Sequence, residues 1–299
     1  MDRLHLMNVF VAVGDAQSFA GGARRLGMSP PAVTRAIAAL EARLGVKLLN
    51  RTTRFVRVTE AGQRYLDDAR RILGEADAAD EAAAGINAEP RGHLGVTAPV
   101  LFGRMFVTPV IVEYLQRHPG MEVSALFLDR VVNLLEEGLD VGVRIGELPD
   151  SSMKAIGAGH VRRVVCASPA YLKRHGTPRT PAELATHSVI LSTTVTPVAD
   201  WKFARDKKAT TVRVTPRLTV TSNDAAIEAA CHGFGITRLL SYQVAPYVAA
   251  GRLKTVLSRF EPPRLPVHVV HREGRYASAK VRTFVDLMLA RLRSQPALN

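Results

Sequence analysis

Cysteine is scarce in this chain: 299 residues carry only Cys166 and Cys231, far apart in sequence. That excludes a disulfide framework and leaves no C-x-x-C pattern for a metal, and it suits a reducing cytoplasm, which is the expected location. No apolar run approaches the ~20 residues needed to cross a bilayer, so no membrane partner is expected. Asp2 and Asp15 flank a short apolar run with no cleavage-site pattern, which excludes a signal peptide. A nucleophile elbow, a Walker loop and a metalloprotease helix are all missing. His268 and His271 stand three apart on an expected strand and therefore face opposite sides, unable to share a metal. Gly233-Phe234-Gly235 is a lone glycine pair, better suited to a helix-to-strand turn than to phosphate binding. No cofactor is expected, and an enzyme reading has only an α/β pattern behind it.

What is present is positive charge, unevenly spread. The chain carries a net +13, made of +6 in residues 1–65, −5 in 66–90 and +12 in 91–299. A polyanionic partner fits such a balance. The charge of the body also fits a solvated surface, an acidic small ligand or flanking DNA.

Residues 18–62 hold the densest pattern. Leu4, Met7, Phe10, Val11 and Val13 recur at helical spacing. Ser18 can cap a second helix through Leu26, closed by Gly27. Ser29 can cap a third, with Pro30 in its first position. Val33, Ile37, Leu40 and Leu44 would form its buried side. This spacing predicts a helix-turn-helix, in which the start of the last helix reaches base edges of double-stranded DNA. Ser29, Pro30, Pro31, Thr34 and Arg35 occupy that start; Arg can bond guanine bidentately and apolar atoms can pack on a thymine methyl. Arg24 and Arg25 on the preceding helix suit phosphates. Residues 48–58, LLNRTTRFVRV, then read as a basic hairpin, a wing, with Arg54 the candidate for the minor groove. Arg51 fits either a wing contact or a structural ion pair.

Thr59-Glu60 opens a further helix with a capping Thr and an early acid. Tyr65, Ala69, Ile72, Ala76, Ala79, Ala83 and Ile86 then alternate in steps of four and three, a heptad seam that predicts a dimerisation helix. A helix packed on its own body is the other reading. Two joined heads would read two half-sites.

Beyond Glu89-Pro90-Arg91-Gly92, strand-like and helical runs alternate, which predicts parallel α/β sheets. Strands are expected at 93–98, 121–128, 140–145, 161–167, 189–192, 212–221, 235–239, 253–256 and 267–271. Helices are expected at 102–116, 131–137, 225–232, 242–250 and 279–293.

Ser18-Phe19, Ala23-Arg24-Arg25-Leu26, Ser29, Pro31-Ala32-Val33-Thr34-Arg35, Ile37, Leu40-Glu41, Leu44-Gly45, the run Leu48 to Arg51, Arg54 and Thr59-Glu60-Ala61-Gly62 together resemble a LysR-type transcriptional regulator. Gly22 stands where that family usually has Ala, and Pro30 replaces a frequent Gln. The resemblance implies an α/β protein with a winged helix-turn-helix head at 1–60, a linker and dimerisation helix at 61–90, and an effector-binding domain at 91–299. It further implies two subdomains, 91–163 with 266–299 and 164–265, around a cleft like that of a periplasmic binding protein. The implied assembly is a homodimer or homotetramer that controls promoters in response to a small effector, with RNA polymerase a candidate partner. Ligands of such folds sit at strand C-ends near helix N-termini, where Thr97, Pro99, Val100, Arg144, Thr193, Thr194, Asn223 and Thr237 fall. Asn223 could equally cap the helix that follows it. Pro99 to Gly103 is apolar, which favours an aromatic or partly apolar carboxylate. An architectural DNA-binding protein that senses nothing is the rival reading.

Overall fold

A computed structural model of the chain describes residues 2–51, 56–84, 89–134, 136–148, 153–194, 199–206, 208–272 and 278–298. It comprises two compact units, one built on Met1–Glu89 and the other on Pro90–Val131, Asp140–Glu273 and Lys280–Asn299.

In the first unit, α1 (Arg3–Ala16), α2 (Phe19–Arg25) and α3 (Pro30–Leu44) enclose a small core of Phe10, Val13, Val33, Ile37 and Leu40. Ser18 caps α2 by accepting from the Gly21 N–H. Ser29 holds the cap position of α3 without a side-chain cap bond; Pro30 and Pro31 follow it directly, and proline brings no N–H. Gly27 and Gly45 take the left-handed conformation that ends each helix. The wing is an antiparallel pair, β1 (Leu49–Arg51) on β2 (Val56–Val58). Helix α4 (Glu60–Ala84) starts under Thr59, whose hydroxyl accepts from Gly62 N–H at 2.9 Å and donates to the Lys47 carbonyl at 2.8 Å. A Cβ on Gly62 would lie 2.1 Å from the Leu48 carbonyl oxygen, so only glycine fits. Gly22 has a similar reason: a Cβ there would meet Val13 at 2.8 Å, because α1 and α2 touch.

The heptad seam needs one correction. Tyr65 packs on Phe10, with ring centroids 5.7 Å apart, and Ala69 is fully buried within its own chain. Ala69 is consumed by intrachain packing, while Tyr65 stays half-buried; the other described seam residues with side chains open are Ile72, Ala76 and the exposed Ala79. Ile86 lies outside the described residues.

The second unit holds two five-stranded sheets. In the first, β4 (Met121–Phe127), β3 (Gly92–Ala98), β5 (Val141–Ile145), β14 (Leu265–Arg272) and β6 (Met153–Val161) lie side by side in that order. In the second the order is β11 (Pro216–Val220), β8 (Val189–Ser192), β12 (Ile236–Leu240), β7 (Arg163–Ala167) and β13 (Lys254–Val256). The expectation of parallel sheets holds for four strands of each; only β14 in one and β7 in the other run against their neighbours. These two are the strands the chain enters as it passes between sheets, from β6 into β7 and from β13 into β14.

After β3 come α5 (Val100–Phe102), a π-turn at Gly103–Val107 and α6 (Thr108–Arg117); α7 (Pro169–His175), α8 (Asn223–Cys231), α9 (Ser241–Ala249) and α10 (Ala279–Arg293) complete the helices. One continuous core, including Val96, Val143, Val164, Ile190, Leu239 and Phe284, runs through both sheets.

Two expectations fail here. The described residues of 131–137 form no helix but a turn, closed by Gly138 at φ +63° and the Leu139 N–H to Leu134 carbonyl bond. The single strand expected over 212–221 is two, because β9 (Asp200–Arg205) and β10 (Lys208–Arg213) pair as a separate hairpin. Trp201 and Phe203 of β9 bury against Tyr171, Val165 and Ile236.

Candidate functional sites

On the head, the buried face of α3 is Val33, Ala36, Ile37 and Leu40. That leaves Ser29, Pro30, Pro31 and Arg35 exposed and Thr34 half-buried. Arg24 and Arg25 are exposed on α2. They differ in their surroundings: Arg25 pairs with Asp15 at 3.1 Å, and Asp15 also holds Arg70 at 2.5 Å. Arg24 and Arg35 make no ion pair with any described residue. Arg51 ends β1, and Arg57 is exposed on β2. Arg54 lies outside the described residues.

A buried carboxylate ties this surface together. Glu41, on the inner side of α3, accepts from the Leu48 and Leu49 N–H groups at 2.9 and 3.1 Å and from Lys47 Nζ at 2.7 Å. Burial pushes its pKa up, but the Lys47 bond and charge and the two backbone bonds outweigh it and hold it below the ordinary 4.5.

In the second unit a cavity of about 160 Å³ opens at the C-terminal ends of β4, β5, β8 and β12. Of the eight residues expected there, Pro99, Arg144, Thr194 and Asn223 line it; Thr97, Val100, Thr193 and Thr237 do not. Thr97 and Thr237 are buried with unpartnered hydroxyls, and Thr193 is bonded to the Val220 carbonyl. Asn223 is not the helix cap. Ser222 plays that part by accepting from Ala225 N–H, while Asn223 Oδ1 accepts from Ser192 and Thr194 hydroxyls, each at 2.9 Å.

Most of the cavity comes from residues the sequence did not single out. Leu128, Leu191, Leu239, Leu265, Trp201 and Tyr242 supply apolar wall, and Arg130, Arg163 and Arg238 join Arg144 as cations. Burial lowers the pKa of Arg144, Arg163 and Arg238; Arg238, with Arg163's charge adding to its burial, falls to about 10. Arg163 and Arg238 make no ion pair with any described residue. The register sets Leu240 opposite Arg163 and Arg238 opposite Val165, which puts the two arginines on one face as diagonal neighbours. Arg238 lies over the Trp201 ring, 5.0 Å from its centroid, and donates to the Lys202 carbonyl at 3.2 Å. Their only sequence signal is a single cation inside an apolar strand.

Asp129 is the acid of the cavity. It accepts from the Val100 N–H at 3.0 Å, at the start of α5. Burial raises its pKa against that bond, and the charge of Asp224 adds to the rise. Cys166 and Cys231 are both free thiols; burial pushes Cys166 up to about 12, with a smaller push from Cys231. Among the described residues no cluster could hold a metal ion and no helix is long and apolar enough to cross a membrane.

Known proteins share this architecture from end to end. The model of the bacterial regulatory helix-turn-helix protein, lysR family, matches residues 4–63, and that of the LysR substrate binding domain matches 87–293. The regulator CrgA of Neisseria meningitidis serogroup B is 31% identical over 287 residues, covering 96% of each chain. PtxR of Pseudomonas aeruginosa is 31% identical over 301 residues, covering 99% of this chain and 96% of its own. The solved structure of CrgA, a LysR-type transcriptional regulator, superimposes with a TM-score of 0.62 over 96% of this chain and 98% of its own. Full-length AphB of Vibrio cholerae, at 24% identity and a TM-score of 0.62, shares the fold. The chain is therefore a DNA-binding regulator with an effector-binding domain, not an enzyme, and it belongs to the LysR family of bacterial transcriptional regulators.

Proposed function

We propose that this regulator reads its operator with Thr34 and Arg35 at base edges, Pro30 and Pro31 on apolar base surface, and Arg24 and the wing arginines on the backbone. Its effector is a small organic acid with an aromatic or partly apolar body. One observation carries the effector reading: three guanidinium groups are desolvated around an apolar cavity, two of them without an ionic partner among the described residues. Desolvating a cation is unfavourable unless an opposite charge offsets it, and Arg matches a carboxylate bidentately. Oligomers form through the open part of α4, and promoter-bound copies meet RNA polymerase in the cytoplasm.

The test is to map bound sites across the genome, then titrate organic acids against the full-length protein with one mapped operator. An effector must change operator affinity and raise the melting temperature together, because the two effects are linked. Acids that bind without moving operator affinity overturn the sensing role. Ile72→Glu and Ala76→Glu are expected to give monomers by light scattering; an intact oligomer removes α4 as the principal contact.

A further inference from the structure

The fold offers two conventional places for the acid group of an effector, the N-termini of the helices that start at Val100 and at Asn223. Both already hold carboxylates. The Asp129 side chain accepts the Val100 N–H at 3.0 Å, and Asp224 stands in the first turn of α8, where Ser222 caps the helix. The hydroxyls of Ser192 and Thr194 are likewise engaged with Asn223. An anion placed there would face the Asp129 carboxylate and, at α8, Asp224, which Arg104 already pairs at 3.6 Å, and would find these polar groups taken. Across the cavity wall the reverse holds. Arg163 and Arg238 sit on one face of neighbouring strands and make no ion pair with any described residue, and Arg238 is held in place by Trp201 and the Lys202 carbonyl.

Resting on the acid-effector reading above, we propose that the cavity binds a two-ended ligand: its carboxylate sits on Arg163 and Arg238, an apolar or aromatic body lies along the leucines and Tyr242, and a hydroxyl or amino group donates to Asp129. Asp129 spends a single hydrogen bond on the protein, to Val100, among the described residues, so its other oxygen is open to such a donor. This selects hydroxy- or amino-substituted aromatic acids over plain acids. The hairpin of β9 and β10 gains a function with it: through Trp201 it holds the arginine that selects charge.

Calorimetric titration of the full-length protein tests this with 4-hydroxybenzoate, benzoate and 4-hydroxybenzamide. 4-Hydroxybenzoate is expected to bind most tightly and the neutral amide weakest. Arg163→Met and Arg238→Met should each raise the 4-hydroxybenzoate Kd about tenfold or more, as loss of a charged hydrogen bond does. Arg238→Lys, which keeps the charge, guards against misfolding and should fall between. Asp129→Asn should abolish the preference for 4-hydroxybenzoate over benzoate, while Ser192→Ala leaves it intact.

An amide that binds as well as the acid, arginine variants within twofold of the parent, or no binding by any probe would each overturn the proposal. If an acid binds and moves operator affinity equally in the arginine variants, the two-ended site fails and acid sensing stands. If the Kd pattern appears while operator affinity never moves, the site stands and the sensing role fails.

Discussion

The two units use arginine in opposite ways. On the head, Arg24 and Arg35 are exposed, as the proposed exchange of small counterions for phosphates or a base edge requires. In the body, Arg144, Arg163 and Arg238 are stripped of much of their water around a cavity. An exposed cation binds many anions weakly and is sensitive to salt. A desolvated one is costly when empty and selective when filled. Net charge alone cannot separate these roles; burial does.

The sharpest way to break the comparison is to remove the head alone. Gly62→Ala forces a Cβ to 2.1 Å from a backbone oxygen that cannot swing aside, and should cost the head more than about 3 kcal/mol. Calorimetric melting should show the head's transition collapse while acid binding by the body persists; simultaneous loss would mean the units are not independent.

Arg35→Ala comes next. It should lower affinity for a mapped operator by about ten- to a hundredfold and affinity for random DNA far less. Equal losses would remove its base-reading role.

Glu41→Gln should destabilise the head by about 1–3 kcal/mol at neutral pH. The sign follows from its lowered pKa: the ionised form is stabilising, so the contribution is complete above pH 4.5 and fades as pH falls through the lower folded value. The parent and E41Q should converge in stability under acid, and a constant gap across pH would contradict the linkage. The smallest effect is that of Arg54→Ala, which should reduce the salt slope of DNA binding by about one; an unchanged slope would remove Arg54 from the DNA contacts.

The head was legible because its signals are local. Ser18, Gly27 and Pro30 each act within one turn of where they stand, as does the cap bond of Thr59 to Gly62. The body was less so because strand neighbours are set by pairing that alternation does not encode. Val131 to Glu137 carries a helical pattern, yet the turn closed at Gly138 wins. Strand β10 is exposed along nearly all its length, so it offered no inward face to recognise. Arg163 and Arg238 share a face only through the register of β7 on β12. Tyr65 and Ala69 satisfied a heptad, but the same apolar spacing serves burial within one chain.

Glu41 has a consequence for how this protein can evolve. One oxygen of a single side chain on α3 receives the N–H groups of both Leu48 and Leu49, where the wing begins. Helix α3 and the start of the wing are thereby tied to each other through one carboxylate. Under the operator-reading proposed above, the head acts as a caliper: it learns a new operator by exchanging side chains at its jaws rather than by opening or closing them.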